Sequence, residues 1–218
     1  MTKIIAFEGI DGTGKSVQMD LLKARLERAG KTVATLSFPM YDTFFGDYVG
    51  RYLTAKDGIP ADAVDGKSMA LWFALDRFEA FRTIDYSGSD YLLINRYVLS
   101  NAVYQSIRDC DLDRPDILDF VLELEHDHFH IPRPDLHLIL DMDTFDASHN
   151  VEKKGFRDYV GDAKDIYEAH ESIQTRARNK YLSFASRMDN VKVIACMENG
   201  KLRSIDTIAS LINDSIGI

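Results

Sequence analysis

Short apolar runs at 4–7, 33–38, 91–94, 136–140 and 191–195 alternate with longer segments whose apolar residues recur at helical spacing. Runs this short and this continuously apolar read as strands buried on both faces. Met19, Leu22 and Leu26 mark one apolar helix face that ends at Gly30, and Ile205, Ile208, Ile212 and Ile216 mark a second that runs to the end of the chain. Regular alternation of strand and helix predicts an α/β fold: a mostly parallel five-stranded sheet with helices on both faces, three layers in all. No internal repeat, low-complexity tract or Pro/Gly-rich linker interrupts the pattern, so residues 1–218 are expected to form one domain. The polar segment at about 144–162, with Lys153, Lys154, Gly155 and Arg157, lies between a strand and a long helical stretch, where a mobile lid would sit.

Charge narrows the partners. A net charge of -9 argues against an open nucleic-acid surface, because backbone phosphates are bound by clustered Lys and Arg. A small anion remains compatible, since a few local cations suffice to hold it. Cys110 and Cys196 belong to no CxxC or Cys/His cluster and read as reduced, buried thiols. His126, His128 and His130 alternate near a helix end and read as solvated surface rather than as a metal site. The apolar run near the N-terminus is too short for a secretory signal, and no stretch approaches the roughly 20 apolar residues of a membrane span. A cytoplasmic protein with no membrane and no nucleic-acid partner is expected.

The most specific chemistry lies between the first strand and the first helix. Gly9-Ile10-Asp11-Gly12-Thr13-Gly14-Lys15-Ser16 fits GxxxxGK[ST], and its flanks are the strand and helix that such a phosphate loop requires. Glycines let the backbone turn tightly against phosphate oxygens, and successive N–H groups and the helix N-terminus bind the anion. Lys15 would neutralise the β- and γ-phosphates of a nucleotide such as ATP, and Ser16 would offer its hydroxyl to Mg2+. The loop does not say where the phosphoryl group goes.

Further blocks follow in order: Phe38-Pro39; Leu71-Trp72-Phe73-Ala74-Leu75-Asp76-Arg77; Asn95-Arg96-Tyr97-Val98-Leu99-Ser100-Asn101-Ala102-Val103-Tyr104-Gln105; Pro134-Asp135; and Asp165-Ile166-Tyr167-Glu168. With the phosphate loop they make the chain similar, over nearly its whole length, to the thymidylate kinase family. The resemblance implies a P-loop kinase with ATP as donor, dTMP as acceptor and Mg2+ as cofactor. It also implies a homodimer built on helices at about 58–85 and 116–130. Phe73 would stack on thymine, although taken by itself core packing is the better reading of this residue. Arg77, one helical turn on, would reach a base carbonyl, or pair with Asp76 or Glu79. Asn101 would hydrogen-bond the base edge, Tyr104 would pack against the sugar, and Asp11 would contact the 3′-hydroxyl. Arg96 would hold the acceptor phosphate, and Phe38 and Tyr167 complete the acceptor set. Gly12 places the chain with relatives that supply a catalytic arginine from the lid, for which Arg157 is the candidate, with Lys153 and Lys154 behind it.

Two positions depart from the pattern. Asn95 stands where the family usually has an aspartate that organises Mg2+, so the metal contact would run through water and without a charge. Met40 stands where many relatives have an arginine on the acceptor phosphate. A kinase for another deoxynucleotide or nucleoside, or a weakened nucleotide-binding protein, therefore stays open as an alternative.

Overall fold

The computed structural model describes residues 1–111, 114–154 and 171–217. Its elements run β1 (Lys3–Glu8), α1 (Lys15–Arg28), β2 (Val33–Ser37), α2 (Phe44–Leu53), α3 (Gly66–Thr83), β3 (Tyr91–Asn95) and α4 (Val98–Asp111). Then come α5 (Leu118–Leu122), which widens into a π-helical turn over Glu123–His128, β4 (Leu136–Asp141), α6 (Thr144–Lys154), α7 (Glu171–Ala185), β5 (Val191–Ala195) and α8 (Ile205–Ile216). All five expected strands are present, and they form one sheet in the order β2-β3-β1-β4-β5 with every pairing parallel.

Burial explains the near-continuous apolar runs. Ile5, Ala6, Phe7, Leu92, Leu93, Ile94 and Leu138 have no solvent exposure, because helices cover the sheet and β1, β3 and β4 lie inside it. α1 lies beside α8, and α4 contacts α3, α5 and α7. A short antiparallel hairpin, β6 (Met197–Glu198) with β7 (Lys201–Leu202), joins β5 to α8 and escaped the pattern reading because two-residue strands carry no periodicity.

Local chemistry sets the helix ends. Thr43, Asp65 and Ser204 cap α2, α3 and α8 by accepting from Gly46, Ser68 and Thr207 amides at 3.2, 3.0 and 3.1 Å. Gly217, with φ 75°, ends α8 at Ile216, one turn signal before the expected continuation to the chain end. At α1 the N-cap is Gly14, which offers no side chain, so the first amides of that helix stay uncapped.

Two expectations are corrected. Cys196 is buried, but Cys110 is exposed at the end of α4. His126 is not solvated: it is buried and its Nδ1 lies 2.8 Å from the Ile131 carbonyl, which closes the turn after the π-helical segment. The segment expected as a lid starts as a helix, α6, and the remainder of it, with Gly155 and Arg157, lies outside the described residues.

Candidate active site

The chain turns from β1 to one side of the sheet and returns across it to β4, so β1 lies at the switch point where open α/β sheets bind ligands beyond their carboxyl ends. The phosphate loop occupies that position. Lys15 is largely buried, and its ammonium donates to the carbonyls of Gly9 at 3.0 Å and Ile10 at 2.7 Å, which holds the charge against the inner curve of the loop. Thr13 Oγ1 donates to the Ile10 carbonyl at 3.0 Å, so Ile10 and Thr13 shape the loop from below. Gly9, with φ 129°, passes close under β4, where an added Cβ would lie 2.7 Å from the Leu140 carbonyl. Gly12, with φ 84°, packs against α6, and Asn150 Nδ2 donates to its carbonyl at 3.0 Å.

One pocket opens from this loop to the sheet edge. It is lined by Asp11, Gly12, Gly14, Lys15, Ser16, Phe38, Phe73, Arg77, Asn95, Arg96, Asn101 and Tyr104, which brings together residues spread over more than ninety positions of sequence. Gly9, Ile10 and Thr13 lie behind the lining. Arg157 and Tyr167 lie outside the described residues, as do the side chains of Lys153 and Lys154.

Arg96 leaves β3 in a left-handed conformation, φ 61°, with its amide on the Phe7 carbonyl at 2.9 Å. That turn aims the guanidinium across the pocket onto the Asp11 carboxylate and over the Tyr104 ring, 5.6 Å from its centroid. Burial works against the Arg96 charge, but Asp11 together with Tyr104, Tyr181 and Glu8 outweighs it and holds the guanidinium pKa well above its ordinary value. Gln174 of α7 braces the same cluster: its Nε2 donates to Asp11 Oδ2 at 3.2 Å, while its Oε1 accepts from the Asp11 amide at 3.2 Å and from Tyr104 Oη at 3.3 Å. No motif marked Gln174, since it enters from a helix remote in sequence.

Glu8 lies fully buried beneath the pocket and accepts from the Tyr97 amide at 3.1 Å and from Ser100 Oγ. Burial pushes its carboxyl up, but His137, Ser100 and the Arg96 charge outweigh that and hold it below the ordinary value. Asn95 Nδ2 donates to Ser37 Oγ at 3.0 Å, and Asn95 Oδ1 is a buried acceptor with no partner among the described residues.

Arg77 has a partner that sequence reasoning did not name. Its Nε and Nη2 each lie 2.5 Å from a Glu125 oxygen, with 2% of the arginine side chain and none of the glutamate exposed. Asp76 and Glu79, the expected candidates, are engaged elsewhere: Asp76 accepts from the Met40 amide at 3.2 Å, and Glu79 from the Phe45 amide at 3.2 Å. Asn101 Nδ2 joins the pair, donating to Glu125 Oε1 at 2.8 Å and to the Ala70 carbonyl at 3.0 Å. Phe38 is mostly core, with ring centroids 6.2 Å from Phe81 and 6.3 Å from Tyr97, while Phe73 both lines the pocket and packs on the core.

A parallel sheet of this order, a phosphate loop at its switch point and a second cluster of cation, aromatic and amide groups across one pocket define a P-loop phosphotransferase with room for a small acceptor beside the donor phosphates. The thymidylate kinase family model matches residues 7–203, and the chain belongs to that family. It is 33% identical over 187 residues to the thymidylate kinase of Mycobacterium tuberculosis (strain H37Rv), covering 84% of this chain and 86% of that one. It is 24% identical over 217 residues to the probable thymidylate kinase of Pyrococcus horikoshii, covering 98% of both chains. The solved thymidylate kinase of Candida albicans superposes with a TM-score of 0.69 at 21% identity, over 99% of this chain and 91% of that one, which establishes the shared fold.

Proposed function

We infer that this protein transfers the γ-phosphoryl group of ATP to the 5′-phosphate of dTMP, giving dTDP. The observation that carries the reading is the meeting, in one pocket, of the phosphate loop with Arg96, Asp11, Phe73, Arg77, Asn101 and Tyr104. Phosphoryl transfer asks for positioning and charge stabilisation rather than covalent chemistry. The uncapped amides of α1 and Lys15 take the donor phosphates, and Arg96 the acceptor phosphate. Gln174 holds Asp11 at both backbone and carboxylate, which supports the role of Asp11 as acceptor for the sugar 3′-hydroxyl. Phe73 offers the base an aromatic face and Tyr104 closes the sugar side. Phe38 belongs to this set as a wall, and Tyr167 and Arg157 are assigned to acceptor binding and transition-state charge on the family pattern alone.

Mg2+ fits the donors present. A magnesium ion carried on ATP needs a hydroxyl and one or two further oxygens rather than a cage of acids. Ser16 lines the pocket, and the unpartnered Asn95 Oδ1 can accept from a metal-bound water. The ion would neutralise charge on the transferring phosphates; Lys15 and Arg96 supply the rest.

A homodimer, acting in the cytoplasm, completes the proposal. Phe44 at the start of α2, Ile59 in the connection that follows and Leu71 on α3 are exposed. Trp72 stacks on Tyr48 at 5.2 Å beside them. Among the described residues no helix is long and apolar enough to cross a membrane.

Coupled ADP release with ATP and Mg2+ across dTMP, dUMP, dCMP, dGMP, dAMP and thymidine tests the assignment. Strong dTMP preference is expected. One observation favours a second reading, a nucleotide-binding protein with weakened catalysis: Asn95 brings no charge to the metal side. Inertness toward every acceptor with ATP still bound would establish that reading instead.

A further inference from the structure

Glu125 lies on the π-helical turn after α5, reaches no solvent and yet spends both oxygens on two pocket residues at once. A carboxylate accepts only, and so does the Ala70 carbonyl on the other side of the Asn101 amide. With acceptors at 2.8 and 3.0 Å, both hydrogens of Asn101 Nδ2 are committed, and the orientation of the amide is set by its partners rather than left free. Asn101 Oδ1 is then the group left over: a buried acceptor, on a pocket-lining residue, with no partner among the described residues. The same carboxylate takes Arg77 Nε and Nη2, which leaves Nη1 as the guanidinium nitrogen that none of the described hydrogen bonds uses.

We propose that Glu125 is a positioning residue for base selection: by fixing Arg77 and Asn101 it presents one donor beside one acceptor and so selects pyrimidines with a 4-oxo group and an N3–H over those with a 4-amino group. This rests on the assignment of Phe73, Arg77 and Asn101 to the acceptor base. The complementarity follows from elementary chemistry. Thymine and uracil offer O4 as acceptor and N3–H as donor, whereas cytosine offers the reverse pair, an amino donor at position 4 and an N3 acceptor. Cytosine would leave two donors facing at Arg77 and two acceptors facing at Asn101, each buried and unpaired. Neutral glutamine at 125 cannot accept from Arg77 at two points and from Asn101 as well, because one of its two terminal atoms is itself a donor. With the glutamine oxygen turned to Arg77 Nε, the Asn101 amide keeps only the Ala70 carbonyl to fix its polarity and faces a donor at position 125.

The test compares kcat/KM for dTMP, dUMP and dCMP in the wild type, Glu125→Gln and Glu125→Asp, with melting curves beside them. The expected result is a dTMP:dCMP ratio that falls about tenfold or more in Glu125→Gln, while Glu125→Asp, which keeps an acceptor-only carboxylate, holds the ratio within about threefold. A residue that merely supported the fold would lower both substrates together, so a ratio unchanged in Glu125→Gln overturns the proposal. If Glu125→Gln does not fold, a crystal structure of the wild type with dTMP decides. Asn101 Oδ1 on N3–H with Nδ2 on Glu125 upholds the proposal; an Asn101 turned from the base, or a Glu125 released from Arg77, overturns it. Failure of the assignment itself has a different signature, a wild type without activity on dTMP.

Discussion

Arg96 and Asp11 meet across the pocket, the guanidinium at the end of β3 bonded to the carboxylate inside the phosphate loop. Each is thereby held where its proposed partner, the acceptor phosphate or the sugar hydroxyl, would lie. Arg96→Gln removes the cation and is expected to lower kcat/KM for dTMP by roughly a hundredfold or more, with KM rising. Steady-state kinetics over a dTMP series checks this, and an unchanged KM would remove Arg96 from the acceptor site.

Asn95→Asp puts a carboxylate into the pocket that Ser16 also lines. The unpartnered Oδ1 becomes one oxygen of a carboxylate, and the Ser37 hydroxyl can turn to donate to the other. A gain in kcat of about ten- to a hundredfold at saturating Mg2+ is expected, the range of a charge-assisted hydrogen bond. No gain would place the slow step elsewhere.

Gly12→Ala puts a methyl group where the Ala147 carbonyl of α6 stands, at a φ of 84° that alanine adopts poorly. α6 must move off the loop, which breaks the Asn150 contact with the Gly12 carbonyl. A loss of about 1–3 kcal/mol is expected, with a fall in kcat. Urea unfolding and turnover measured on the same preparation test it, and a variant equal to the wild type in both would mean that α6 does not bear on the loop.

Asp76 gives the fold a pH dependence. Burial raises its pKa to about 6, against the lowering effects of Arg77 and the Met40 amide. Between the unfolded value near 3.8 and the folded value near 6 the folded protein holds more protons, so this carboxyl's contribution is full below that window and is lost as pH rises through it, by about 3 kcal/mol. Asp76→Asn is uncharged throughout and can still accept from Met40, so its melting temperature should gain on the wild type from pH 4 to pH 7. A difference that stays constant over that range would show that Asp76 is not the group responsible.

The sequence by itself determined the strands, the phosphate loop and the order of the acceptor blocks. Each rests on local rules: continuous hydrophobicity for a strand buried on both faces, glycines at positive φ for the loop, and neighbours at i and i+4 for Phe73 and Arg77. Departures at Asn95 and Met40 were legible for the same reason, since they lie within motifs. Only the tertiary structure decided the partners. Glu125 reaches Arg77 across 48 positions and Gln174 reaches Asp11 across 163, and no periodicity or spacing encodes a contact closed by packing between separate helices. A buried guanidinium announces that it needs an acceptor; which carboxylate answers depends on where the chain brings the next helix, and so Glu125 took the place expected for Asp76 or Glu79.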